Sequence, residues 1–188
     1  MRLTQWTDYT LRVLMYCAAC DGRAQPVTIT EVAESYNISR SHLTKIVQQL
    51  AAGGLLETTR GRGGGMRLMQ PATEINVGAV VRATETDFNL VECFDSETNQ
   101  CRLSSHCRLQ GVLGEAMSNF FAVLDRYTLA DLLAANPSQS CSAQNERAMR
   151  FVPGLPSRNP PTASAPLAVP AFTPMAEPPP ANDPDHPR

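Results

Sequence analysis

The sequence predicts a mainly α-helical fold with one small β-hairpin, on three observations. Two short amphipathic runs, residues 30–36 and 41–50, flank the short polar turn Asn37-Ile38-Ser39. The glycine cluster Gly61-Arg62-Gly63-Gly64-Gly65 splits two short strand-like runs, and residues 109–127 carry a wide apolar stripe at helical spacing. In this order the pieces read as a winged helix-turn-helix, a long dimerisation helix, and a disordered C-terminal tail.

The first helix is expected over Thr7–Ala19, where Leu11, Val13, Leu14, Met15, Cys17 and Ala18 recur mostly at helical spacing, with Thr7 or Asp8 as cap. Asp21–Pro26 forms a loop. A second helix follows through Glu31–Tyr36, capped by Thr30 alone or by Thr28 with Glu31. Asn37-Ile38-Ser39 makes the turn. In the third helix Leu43, Ile46, Val47 and Leu50 share one face and leave polar and basic groups on the other. Gly53-Gly54 ends it, and Leu55–Arg60 with Met66–Met69 are the strands of the wing. Asn76–Ala83 is a further short helix, and Thr128–Leu133 a final capped turn or short helix.

Of the 15 prolines, 13 lie from Pro137 onward, so the fold belongs to the first part of the chain. The expected organisation is a DNA-binding unit over 1–83, a cysteine-bearing loop over 84–108, a dimerisation helix region over 109–135, and a proline-rich tail over 136–188. The net charge of -2 is unevenly spread. Residues 1–70 hold eight basic and five acidic residues, a local +3, whereas the remainder is acidic. With no long apolar run at the start, neither a signal peptide nor a membrane span is expected, and the reading is cytoplasmic. In that reducing compartment six cysteines suit metal ligation, redox chemistry or burial better than structural disulfides.

Residues at the start of a recognition helix reach base edges while the nearby backbone meets phosphate. The candidate DNA contacts are therefore Ser39, Arg40, Ser41, His42, Thr44 and Lys45, with Thr28 ahead of the preceding helix. Arg40 has the fork that reads guanine. In the wing, Arg60 and Arg62 stand among glycines that allow close approach to a minor groove. The same loop is a poor phosphate cradle for a nucleotide, because no Gly-Lys-Ser/Thr follows it.

Cys93, Cys101 and Cys107 are spaced too widely for paired CxxC units of a zinc site, and openly enough to wrap an iron-sulfur cluster. Three thiolates leave one position to an oxygen or nitrogen ligand. A 4Fe-4S cluster and a 2Fe-2S cluster both satisfy that count. His106 is a candidate for the odd position, although its neighbour Cys107 makes joint binding to one iron awkward. Cys17 and Cys20 share a helix face and read as buried packing, and Cys141 begins the tail with no assigned role. No nucleophile elbow, HExxH or paired carboxylates are present, so catalysis is not indicated.

With these motifs placed, the sequence resembles the IscR/NsrR family of winged-helix iron-sulfur regulators. The matching residues are Met1-Arg2-Leu3-Thr4, Arg60-Gly61-Arg62-Gly63-Gly64-Gly65, and Cys93, Cys101 and Cys107, and the likeness covers about residues 1–135. The segment Thr7-Asp8-Tyr9-Thr10-Leu11-Arg12 is most similar to the nitric-oxide-sensing, NsrR-type members. The resemblance implies a homodimer joined by a helix from about Leu109 to Arg126, repression at an operator in double-stranded DNA, and nitric oxide as the signal. It also implies that Asp8 donates a carboxylate to the cluster held by the other subunit's cysteines, with 4Fe-4S as the first expectation. Two alternatives stay open: a 2Fe-2S regulator of cluster-assembly genes, and an iron-sulfur electron carrier with no operator. The proline-rich tail departs from the family pattern.

Overall fold

The computed structural model describes residues 2–95, 97–103 and 107–134. The expected tail, Cys141 and His106 lie outside the described residues. The order of elements is α1 (Gln5–Ala19), α2 (Ile29–Tyr36), α3 (Arg40–Ala52), β1 (Leu56–Thr59), β2 (Gly65–Leu68), α4 (Val77–Thr84), a single 3-10 turn (Glu92–Phe94), α5 (Arg108–Leu124) and α6 (Leu129–Ala134). The mainly helical winged fold is thus as the sequence predicts.

The caps differ from expectation at one helix and resolve an ambiguity at another. Thr4 caps α1, its hydroxyl accepting from the Thr7 N–H at 3.3 Å, so the helix starts earlier than Thr7 or Asp8 would allow. Thr7 is instead buried inside it, donating to the Thr84 hydroxyl at 3.0 Å. At α2, Thr28 and Glu31 form a reciprocal capping box, which satisfies two of the helix's open donors. Asn37 then turns the chain with φ 53, a left-handed conformation that asparagine tolerates, and buries Ile38 before α3 begins.

Leu14 of α1, Val32 of α2, and Leu43 and Ile46 of α3 meet in one core that Leu56, Met66 and Leu129 close. β1 and β2 pair antiparallel from Leu56↔Leu68 to Thr59↔Gly65. Val27 bridges Met66 through hydrogen bonds of 3.1 and 2.7 Å, tying the entry to α2 onto the wing. At the wing tip Gly61 and Gly63 have φ of 98 and 82, a region closed to most side chains.

The last long helix stands apart from this core. None of the described residues of α5 is buried, and it packs chiefly against α4. Leu109 and Val112 are each 61% exposed, so an apolar stripe on this helix faces outward. A helix hydrophobic on an uncovered face is the arrangement expected when another chain supplies the cover.

Candidate nucleic-acid interface and cysteine segment

The burial of Leu43, Ile46, Val47 and Leu50 leaves α3 only one surface to offer. On it Arg40, Ser41, His42, Thr44 and Lys45 are exposed, as is Ser39 ahead of the helix. Ser39 makes no capping bond; its hydroxyl lies 2.8 Å from that of Ser41. The first N–H groups of α3, at the positive end of the helix dipole, therefore receive no cap from the Ser39 side chain. Thr44 donates its hydroxyl to the Arg40 carbonyl at 2.8 Å and retains its lone pairs. The His42 ring rests near Tyr9 of α1, with centroids 6.3 Å apart, which limits how that ring can turn.

Thr28 has a different employment from the others. Its hydroxyl accepts from the Glu31 N–H at 3.1 Å as the cap of α2. The wing arginines are less encumbered. Arg60 and Arg62 are exposed, and neither they nor Arg40 and Lys45 join an ion pair among the described residues. Gly64 is needed here for space, because a Cβ would overlap the Thr59 carbonyl oxygen. These four cations on α3 and the wing, with no ion pair among the described residues, have the chemistry that phosphate contacts use.

The turn that presents α3 is braced from beneath. Glu31 accepts from Arg23 at 2.6 and 3.0 Å and from the Tyr16 hydroxyl at 3.1 Å, in addition to its capping role. The hydrogen bonds from Arg23 hold the Glu31 carboxyl below its ordinary value, against the opposing effect of partial burial. Spacing in the sequence pointed to the cap but not to Arg23, which arrives from the loop between α1 and α2.

Cys93, Cys101 and Cys107 are each half-buried, on the segment between the winged body and α5. Cys93 sits in the 3-10 turn, and the Gln110 side chain of α5 donates to its carbonyl at 3.0 Å. Cys107 is the N-cap of α5 and its side chain makes no capping bond. Among the described residues no three His, Cys, Asp or Glu side chains converge closely enough to hold a metal ion. In donor chemistry the set nevertheless fits a thiolate-bound cluster: three partly accessible soft ligands and one position left for another group.

Asp8 lies on α1, where its carboxylate pairs with Arg12 at 2.8 Å and remains 44% exposed. The guanidinium of Arg12 lies 5.9 Å from the Tyr9 ring centre and 6.0 Å from that of Tyr36. Arg12 was not singled out from the sequence, although the i,i+4 spacing to Asp8 is the ordinary signal for such a pair. Cys17 and Cys20 are each 4% exposed and belong to the core; Cys17 is a free thiol, as expected, whereas Cys20 is disulfide-bonded, against the expectation that structural disulfides are disfavoured. Burial pushes the Cys17 thiol up to about 12, which leaves it inert as nucleophile or ligand.

No helix among the described residues is long and apolar enough to cross a membrane. A family model named Rrf2, described as an iron-dependent transcriptional regulator, matches residues 3–135. The HTH-type transcriptional regulator NsrR of Bacillus subtilis (strain 168) is 50% identical over 133 residues, covering 71% of this chain and 90% of the relative. Among solved structures, CymR (YrzC), the global cysteine regulator of B. subtilis, superposes with a TM-score of 0.57 at 24% identity, over 72% of this chain and 98% of its own. IscR of T. potens gives 0.56 at 21% identity, over 80% and 94%. The two structural matches speak for the fold. The sequence relatives are regulators and not enzymes, in agreement with the absence of catalytic motifs.

Proposed function

The chain belongs to the Rrf2 family of transcriptional regulators, and from that premise we propose that it is an iron-sulfur-dependent repressor that senses nitric oxide and binds operator DNA as a homodimer in the cytoplasm. The observation that carries the proposal is the set of three half-buried cysteines set between a winged head and a helix with an outward apolar stripe. Cys93, Cys101 and Cys107 would hold the cluster, 4Fe-4S before 2Fe-2S, with Asp8 of the partner subunit at the remaining position. When bound, such a group supplies iron at which nitric oxide binds and displaces weaker ligands.

The chain's own part is to orient and to hold. Arg40, Ser39, Ser41, His42, Thr44 and Lys45 enter the major groove, Thr28 approaches the backbone, and Arg60 and Arg62 reach the minor groove beside it. Asp8 stands on α1, the helix against which α3 packs. A carboxylate engaged across the dimer therefore holds two recognition helices at one separation, and its release to Arg12 lets them drift from the half-site spacing of a palindrome.

The test is anaerobic. Oxygen-free protein should carry iron, sulfide and visible absorbance, bind DNA from its own upstream region in a gel shift, and release it on stoichiometric nitric oxide. Mössbauer spectra separate 4Fe-4S from 2Fe-2S. Iron-free protein that binds and releases the same DNA on nitric oxide would end the proposal.

A further inference from the structure

Helix α4 grips the end of α5 at two points. At its N-terminus, the Asn76 side-chain amide donates to the Asp125 carbonyl at 2.7 Å while its oxygen caps α4 through the Ala79 N–H at 2.9 Å. At its last turn, Arg82 forms a fork with the Asp125 carboxylate, both bonds 2.7 Å. The same guanidinium lies 4.3 Å from the centre of the Phe121 ring, which meets Phe88 edge-on at 4.8 Å. Between these points Gly78 allows the approach, since a Cβ there would overlap the Asp125 carboxylate.

One attachment would fix where α5 begins to leave the body. Both attachments hold Asp125, and the Arg82 guanidinium on the Phe121 ring, one turn earlier, adds the second point along α5 that fixes its direction. The grip is relayed to the reading surface by packing: α4 lies on α1, with Thr84 accepting from Thr7 and Glu85 accepting from the Thr4 N–H at 2.6 Å, and α1 lies on α3. We infer that Asn76, Gly78, Arg82 and Asp125 form a rigid elbow that sets the angle between the dimerisation helix and the recognition helix, and thereby the half-site spacing the dimer accepts.

The inference rests on the reading of this chain as a dimeric DNA-binding repressor. Arg82 and Asp125 are 44% and 42% exposed, so the pair is a surface bridge whose loss need not unfold the protein. Its geometry, a bidentate fork stacked on an aromatic face, restricts direction more than a simple charge pair does.

The test uses the full chain, prepared without oxygen, and duplexes selected from a random DNA pool. Wild type should select paired half-sites at one separation and reject an inserted base pair, which turns the second site by about 34° and moves it about 3.4 Å. Arg82→Gln should spread the selected separations over neighbouring spacings, with several-fold weaker discrimination against the insertion. Gly78→Ala, which wedges Asp125 away while leaving Arg82 in place, should do the same. In both, the dimer mass by sedimentation should be unchanged. Variants that select the single wild-type spacing with equal discrimination overturn the elbow, as does conversion to monomer, which would make the pair an assembly contact. Failure of wild type itself to select paired half-sites would sink the repressor reading on which the elbow depends.

Discussion

Replacing Glu31 by Gln tests the brace under the helix-turn-helix, because glutamine keeps the length and the capping reach while removing the charge. The wild-type carboxylate receives two bonds from Arg23 and one from Tyr16. A hydrogen bond to a charged group contributes roughly 1.5–3 kcal/mol and an exposed ion pair at most about 1 kcal/mol. With the two side chains 31% and 28% exposed, the pair lies between those cases, so the loss at pH 7 should be about 1–2 kcal/mol. The sign of the pH dependence follows from the carboxyl being held below its ordinary 4.5 in the folded chain. As pH falls, the unfolded chain takes up the proton first. The contribution is complete above about pH 4.5 and is lost as pH drops through the lower folded value. Urea titrations of both proteins with chelator present, at pH 7 and at successive steps below pH 4.5, should show a gap that narrows with acid. A gap of the same size at every pH, or none at pH 7, would refute the assignment of a charged brace.

Three further outcomes follow from burial and exposure. Leu43→Ala removes a side chain of 0% exposure from the inner face of α3 and should lower stability by about 2–5 kcal/mol in the same urea assay. The double variant Arg60→Ala/Arg62→Ala should leave stability within about 0.5 kcal/mol of wild type, since neither group is paired among the described residues. Its DNA affinity should fall, and the slope of log affinity against log salt should flatten by about 2, read by fluorescence anisotropy across a salt series. Leu109→Glu/Val112→Glu alters two side chains that are each 61% exposed in the single chain, so the protomer's circular dichroism should be unchanged while sedimentation shifts from dimer to monomer mass.

Local pattern accounted for most of the helical order. Leu43, Ile46, Val47 and Leu50 are the inner face of α3 because a 3.6-residue period leaves them no other, and this made the outward set from Arg40 to Lys45 readable in advance. The glycine cluster likewise announced the wing, since Gly61 and Gly63 adopt φ that most side chains avoid. Helix ends were less legible. Thr4, Thr7 and Asp8 are all competent caps by type, and the choice of Thr4 came with burial of Thr7 against Thr84, a contact 77 residues away.

The candidate site divides along the same line. Residue type and spacing in the sequence were enough to nominate three cysteines as candidate soft ligands and a basic, glycine-rich wing as a candidate groove reader, because donor softness and charge belong to the residues themselves. Partnership across the chain was not encoded locally: Arg23 on Glu31, Gln110 on the Cys93 carbonyl, and the Arg82 fork on Asp125 each join segments whose separation along the sequence carries no periodic signal. Only folding brings those donors and acceptors within about 3 Å, the range over which a hydrogen bond has direction. The sequence by itself therefore determined which surfaces this protein has, and the tertiary structure decided at what angle they are held.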